Sequence, residues 1–412
     1  MNTDFNRIML CLSVEITRKC NLNCSFCARG PSQNLDISRE IIDKTIGEME
    51  HFFVCSLRLH GGEPLLAYDE MEYLFDSIIE RKIPISCIVL FTNGQIKDER
   101  YFSLVKKMLA YIRKDKVQYP EIEHIMENYT EINESYSAAA KQKSIVFIVS
   151  SHGHEHEPNY EDTISFYNNG IADEDFVIIK QYAPNGFRLV LEGNAITNIK
   201  ELLGDSTEIR GIRTVSNGFY FIRESKSDIK RKFITKTITV SANGNVFPGC
   251  SMSYTHVDEK PMFNILVCNG DMWDKIEEFC WEHPITIENK KFRERYEAMK
   301  LCKQNGIHIK DFEFFDYNLE DLIYTFSICN ENISRKLHQK YKSLKIQDVM
   351  DLSLMIQCLH FLENKNIDED AVKAILRYYI NTTTNIKDEE ELEVLMNKEA
   401  LIAMIDLIIS QN

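Results

Sequence analysis

The tightest constraint on this 412-residue chain is a run of eight residues, Cys20-Asn21-Leu22-Asn23-Cys24-Ser25-Phe26-Cys27. It spaces three cysteines C-x3-C-x2-C directly after the alternating, β-branched run Leu12 to Thr17. A loop that short lets three thiolates converge on one metal centre. A closed structural zinc site or a four-cysteine iron–sulfur site needs a fourth protein ligand, yet no cysteine or histidine lies between Ala28 and Glu50. One metal position is therefore left open for a ligand. The alternative for three cysteines is a zinc knuckle or a redox loop.

Two further motifs follow, each at the end of an apolar, strand-like run. Gly61-Gly62-Glu63-Pro64 comes after Val54 to His60, and Thr92-Asn93-Gly94 after Ile88 to Phe91. In this order the three elements resemble the signature of the radical S-adenosylmethionine (SAM) superfamily, in which three cysteines hold a [4Fe–4S] cluster and the methionine end of SAM chelates the fourth iron. The resemblance implies Cys20, Cys24 and Cys27 as metal ligands and Gly61, Gly62, Glu63 and Asn93 as cofactor-binding residues, with Phe26 near the adenine. Glycines without Cβ let backbone approach the cofactor's amino group, and the Glu63 carboxylate is a partner for that ammonium. Three cysteinates make a cluster electron-rich, which transfer of an electron into a sulfonium requires.

Composition narrows the setting. The formal charge of −15 argues against a general grip on polyanions, so nucleic acid is disfavoured as a partner, although Arg223 to Lys232 is a local basic run. Twelve cysteines without a secretory signal peptide point to a reducing interior, and no apolar run reaches membrane-spanning length. A cytoplasmic location is expected, with no membrane association. Cys11, Cys55 and Cys87 fall in strand-like runs and read as core residues.

Strand and helix patterns alternate through the first half, as in a parallel α/β fold. Ile42, Ile46, Met49 and Phe53 make a helical stripe, Tyr68 to Glu80 a second helix, and Ile85 to Phe91 a third strand. Gln95 to Lys143 is long for one crossover and reads as a helical insertion. Ile145 to Ser151 is the fourth strand, and Ser150-Ser151-His152-Gly153 resembles the superfamily's strand-end Ser-Leu-Asp-Gly, which implies a SAM contact for Ser150. His152 stands where an aspartate is common. With His154 and His156 it shares one side of an extended loop, a pattern open to a metal, an anion grip, a proton relay or a solvated loop. Phe187 to Leu191 reads as a fifth strand, with Glu192 and Asn194 at its end as candidate cofactor or substrate contacts. Phe176 to Lys180 is also strand-like, and the sixth strand is either Glu208 to Val215 or Phe219 to Arg223.

Ile238 to Cys250 is a hairpin around Asn243-Gly244. It resembles the start of the SPASM and Twitch extensions of radical SAM proteins. Cys250 and Cys268 fit the spacing of their first cluster motif, but Phe263 replaces the motif glycine and the later cysteine series is missing. Two readings stand: a second [4Fe–4S] cluster on Cys250 and Cys268, or a degenerate extension without iron. From Pro284 the sequence is helical, with Leu352, Met355, Ile356, Leu359 and Leu362 on one face and a last helix over Glu389 to Ile409.

The expected architecture is α/β: a partial (β/α)6 TIM-like radical SAM barrel over 1–235, a β-hairpin extension over 236–283, and a helical region over 284–412. The expected function, implied by the resemblance, is reductive cleavage of SAM to a 5′-deoxyadenosyl radical that abstracts hydrogen from a substrate, with a peptide or protein as the leading class. A one-electron donor of flavodoxin or ferredoxin type is the implied partner. The alternatives are a small-molecule or nucleoside modifier, a glycyl-radical activase, and a non-catalytic iron–sulfur sensor.

Overall fold

The computed structural model describes residues 7–114, 144–150, 160–171, 177–182, 187–204, 209–213, 233–249, 253–259, 261–282, 331–340, 346–364, 367–383 and 397–411. Its strands are β1 (Arg7–Thr17), β2 (Phe53–Gly61), β3 (Ile85–Thr92), β4 (Ile145–Ser150), β5 (Val177–Tyr182), β6 (Phe187–Val190), β7 (Ile209–Arg213), β8 (Phe233–Val240), β9 (Asn245–Pro248) and β10 (Phe263–Asn264). The main sheet runs β10-β9-β8-β1-β2-β3-β4-β5, and β6 pairs with β7 in a second sheet. From β8 to β5 every pairing is parallel. The α/β architecture is the expected one; among the described residues the sheet is open and does not close into a barrel.

Two placements differ from the linear reading. The hairpin was expected as an extension beyond the barrel, yet β8 lies parallel against β1, with Leu12 beside Ile238 and Val14 beside Val240. The boundary drawn at 235 and 236 falls inside β8. Among the described residues, β6 and β7 pair only with each other. Pattern alone could not show this, because β-branched runs specify a strand but not its neighbour.

Helices α1 (Arg39–Met49), α2 (Tyr68–Arg81) and α3 (Arg100–Lys114) cover one face of the sheet. Leu12, Val14 and Ile16 of β1 pack there with Ile42, Ile46 and Met49 in one continuous core. α1 starts where the Ser38 side chain accepts from the Ile41 N–H, and α2 stops at Lys82 in the left-handed region (φ 57°). The other face is polar. Register sets Cys11 beside Ser56, Ser13 beside Arg58 and Glu15 beside His60, so alternate positions of β1 and β2 line an inner surface.

Later helices are α4 (Tyr160–Ile171), α5 (Gly193–Thr197), α6 (Ile199–Gly204), α7 (Tyr254–Glu259), α8 (Met272–Glu282), α9 (Glu331–Lys340), α10 (Ile346–Asn364), α11 (Glu369–Thr383) and α12 (Lys398–Gln411). The C-terminal helices join the same core and are anchored to the sheet region. Tyr378 Oη donates to the Ile209 carbonyl at 3.3 Å, and Lys200 pairs with Asp368 at 2.5 Å. Among the described residues no helix is long and apolar enough to cross a membrane.

Candidate metal and cofactor site

The cysteine loop leaves the carboxyl end of β1 through Arg18, and that side chain fixes it. Only 1% of Arg18 is exposed. Its guanidinium donates to Glu15 Oε2 at 2.9 Å, to Gln33 Oε1 at 2.9 Å, to Ser241 Oγ at 2.8 Å, and to both oxygens of Asp258 at 2.7 and 2.8 Å. It also sits 4.7 Å from the centre of the Tyr254 ring. One cation thus ties the loop root to the turn after β8 and to α7. A buried charge is tolerable only when paired this fully.

The Gly-Gly turn after β2 packs directly against the loop. Gly62 N donates to the Thr17 carbonyl at 2.9 Å and Glu63 N to the Lys19 carbonyl at 2.7 Å. A Cβ on Gly62 would lie 2.1 Å from Lys19 O, and one on Gly61, whose φ is 155°, 1.9 Å from Thr17 O. Both glycines are therefore required first for this backbone contact. Glu63 is fully buried, and its carboxylate accepts from Leu65 N (3.0 Å), Thr92 Oγ1 (2.8 Å) and Asn93 N (2.6 Å). The carboxylate expected to meet a cofactor ammonium also staples the ends of β2 and β3 together. Burial pushes its pKa up to about 7 against those three donors.

Asn93 completes the contact. Its Nδ2 donates to Asn21 Oδ1 at 2.8 Å and lies 3.9 Å from Cys20 Sγ. The Cys20 thiol is pushed up by burial and by the nearby Glu63 and Cys27, and drawn down by the Leu22 N–H, 3.5 Å from its sulfur. Among the described residues, the one group of three or more metal-ligating side chains with atoms all within 4.8 Å is Glu48, Cys268 and Asp271.

A second brace comes from the other side. Gly193, in the left-handed region (φ 56°), sits where a Cβ would be 2.4 Å from Gly30 N. Asn194 N donates to Cys27 O at 2.8 Å and its Nδ2 to Cys24 O at 3.0 Å, while Asn198 Nδ2 donates to Ser25 O at 3.0 Å. Glu192 turns toward α7, where Oε1 accepts from His256 Nδ1 at 3.0 Å and Oε2 from Ser253 N at 3.2 Å. Ser150 ends β4 on the same rim, beside Tyr182 of β5. Phe26 is half-buried against the core.

The Radical SAM superfamily family model matches residues 14–116. The chain carries a radical SAM domain. Superfamily enzymes use a [4Fe–4S] cluster and SAM, and three cysteines presented by a loop braced on strand ends suit such a cluster. The domain's curated relatives include the probable GTP 3′,8-cyclase of Methanococcus aeolicus, 33% identical over 105 residues, or 24% of this chain and 34% of that one. The GTP 3′,8-cyclase of Rhodococcus opacus is 30% identical over 114 residues, 26% of this chain and 32% of that one. The match spans about a third of the length of these relatives. Similar solved structures include Streptococcus suis SuiB bound to precursor peptide SuiA (TM-score 0.35, 14% identity, 68% of this chain and 66% of that one). Another is anSMEcpe with bound AdoMet (TM-score 0.36, 14% identity, 69% and 83%).

Several expectations lie outside the described residues: the loop of His152, His154 and His156, the basic run from Arg223, the insertion after Lys114, and Cys250. Cys268 is described, and its setting is unlike the cysteine loop. It is fully buried beside Glu48 and Asp271, and burial followed by those carboxylates pushes its thiol up to about 12.

Sequence reasoning missed Arg18, Glu15, Arg29, His60 and Asn198. Charged residues interrupting apolar strand runs, as in Val14-Glu15-Ile16 and Leu57-Arg58-Leu59-His60, were the available signal. Arg29 Nη2 donates to His60 Nδ1 at 2.9 Å, and Nη1 lies 3.9 Å from Glu15 Oε1. Burial first, then Arg29 and Arg58, holds the His60 imidazole well below the usual histidine range.

Proposed function

We propose that this protein is a radical SAM enzyme that removes a hydrogen atom from a carbon of its substrate, with a peptide or protein as the substrate class. The observation that carries the reading is the clamp on the cysteine loop: Gly61 and Gly62 against its root, Asn93 against Cys20, and Asn194 against the carbonyls of Cys24 and Cys27. When bound, the cluster and SAM supply a 5′-deoxyadenosyl radical by one-electron reduction from a flavodoxin- or ferredoxin-type donor.

The chain's own residues hold and aim. Cys20, Cys24 and Cys27 would ligate three irons. Glu63, occupied by Thr92 and Asn93, keeps two strand ends in register, and Arg18 locks the loop to α7, so that the three cysteines would hold the cluster on a fixed loop. Such rigidity fixes the direction in which a radical is released. Ser150, at the end of β4, and Glu192, just after β6, belong to the cofactor side of this reading, Glu192 through His256. The domain division at 235 and 283 and a cytoplasmic location belong to the same proposal.

The test is anaerobic incubation of reconstituted protein with SAM, dithionite and candidate peptides. Release of 5′-deoxyadenosine with a mass change on a peptide is expected. Sustained absence of 5′-deoxyadenosine from fully loaded protein would leave an iron–sulfur sensor as the better reading. The cyclase relatives favour one second reading, a nucleotide substrate, for which GTP in place of peptide is the corresponding arm.

A further inference from the structure

Besides Ser56 Oγ and Arg58 Nε, the inner face of β1 and β2 holds three buried polar atoms that make no hydrogen bond: His60 Nε2, Glu15 Oε1 and Ser13 Oγ. These residues are 8%, 1% and 0% exposed. An unmade hydrogen bond at such a site costs about 1–3 kcal/mol, so three on adjacent positions call for an explanation. Their placement is not scattered. Glu15 and His60 are register partners across β1 and β2, Ser13 lies two residues before Glu15 on the same face, and the Arg29 guanidinium from the cysteine loop spans Glu15 and His60.

The chemistry of each atom is fixed by its neighbours. A guanidinium can only donate, so His60 Nδ1 accepts from Arg29 and Nε2 carries the hydrogen. Glu15 Oε2 already accepts from Arg18, Ser241 and Ala242, and Oε1 is left as an acceptor. His60 and Glu15 thus offer one donor and one acceptor side by side on neighbouring strands. A carboxylate or phosphate placed there would meet Glu15, whereas a group with a carbonyl oxygen and an N–H side by side satisfies both atoms.

We propose that His60 and Glu15 form a subsite for one neutral amide of the substrate, His60 Nε2–H donating to its carbonyl oxygen and Glu15 Oε1 accepting from its N–H, with Ser13 Oγ completing the cradle. The inference rests on the reading above that a substrate enters this face. It narrows the class to molecules carrying amides, a peptide backbone foremost, and makes His60 a substrate-positioning residue immediately before the Gly-Gly turn.

Two conservative variants separate the ring nitrogens: in His60→Asn the Oδ1 stands in for Nδ1 and keeps the Arg29 contact, and in His60→Gln the amide nitrogen stands in for Nε2–H. Reconstituted protein labelled with 15N-histidine is titrated separately with N-acetyl-trialanine amide, sodium acetate and SAM, with His60 assigned from the His60→Gln spectrum. The expected result is a saturable shift of the His60 Nε2–H signal with the tripeptide amide and none with acetate. By calorimetry, His60→Asn should bind the tripeptide amide at least tenfold more weakly at an unchanged melting temperature, and His60→Gln within threefold of wild type. A shift with acetate alone assigns an anion subsite, a shift with SAM alone assigns a cofactor contact, and no shift or equal binding by both variants assigns a structural role; each overturns the proposal. Wild-type release of 5′-deoxyadenosine, measured without peptide, is independent of these titrations, so its failure would strike the enzyme reading and not the amide subsite.

Discussion

Cysteine occupies two opposite settings in this protein. At the end of β1, Cys20, Cys24 and Cys27 sit in a loop whose carbonyls are held by asparagine side chains. Behind α1, Cys268 is sealed beside Glu48, whose two oxygens accept from Gly270 N at 2.6 Å and Met272 N at 2.9 Å, and beside Asp271, which accepts from Asn269 N at 3.1 Å. Those carboxylates are already committed to the backbone before α8. The contrast is one of access: Cys20 and Cys27 are partly exposed at a strand end, whereas Cys268 is buried beside two carboxylates.

The hardest test of the contrast is to remove each kind of cysteine. Replacing Cys20, Cys24 and Cys27 together by alanine should take iron from about four per chain to none and abolish 5′-deoxyadenosine formation, whereas Cys268→Ala should leave both unchanged. Iron lost in the single variant, or retained in the triple one, would merge the two settings.

Next in size is Arg18→Ala, which strands the Glu15 carboxylate and removes the tie to Asp258. A loss of about 3–5 kcal/mol is expected from denaturant midpoints, with the loop losing its anchor to α7.

The pH response of Glu63 gives a signed prediction. Its folded pKa is about 7 against an ordinary 4.5, so between those values the folded chain keeps a proton that the unfolded chain has released. Stability should fall as pH rises through this window and level off above it, by roughly 3 kcal/mol in all. Glu63→Gln should flatten the curve, and a wild-type curve that rises over the same window would contradict the burial argument. The smallest expected effect is Asn194→Ala, about 1–3 kcal/mol for the Cys24 carbonyl left unpaired, visible as faster iron release to a chelator.

How much was legible before folding varies by residue. Cys20, Cys24, Cys27 and the two later strand-end motifs could be read because each is local: a spacing, a glycine pair, a turn following an apolar run. Asn194 could be placed at a strand end, but that its side chain would reach Cys24, 170 positions away, could not. That Glu63 would also accept from a hydroxyl and a backbone N–H at the end of β3 could not be read either. The hairpin was seen through its Asn-Gly turn, with Gly244 in the left-handed region (φ 84°), while its seat beside β1 was not.

By itself the sequence determined the three-thiolate loop, the glycines that follow and the alternation of strands and helices, since each depends on covalent spacing and local backbone preference. Tertiary structure alone decided what those residues meet. Arg18 finds Asp258, Glu15 faces His60, and Cys268 is shut in with two carboxylates. Burial and electrostatic pairing depend on distance in space, and chain order does not encode that until the sheet has chosen its neighbours.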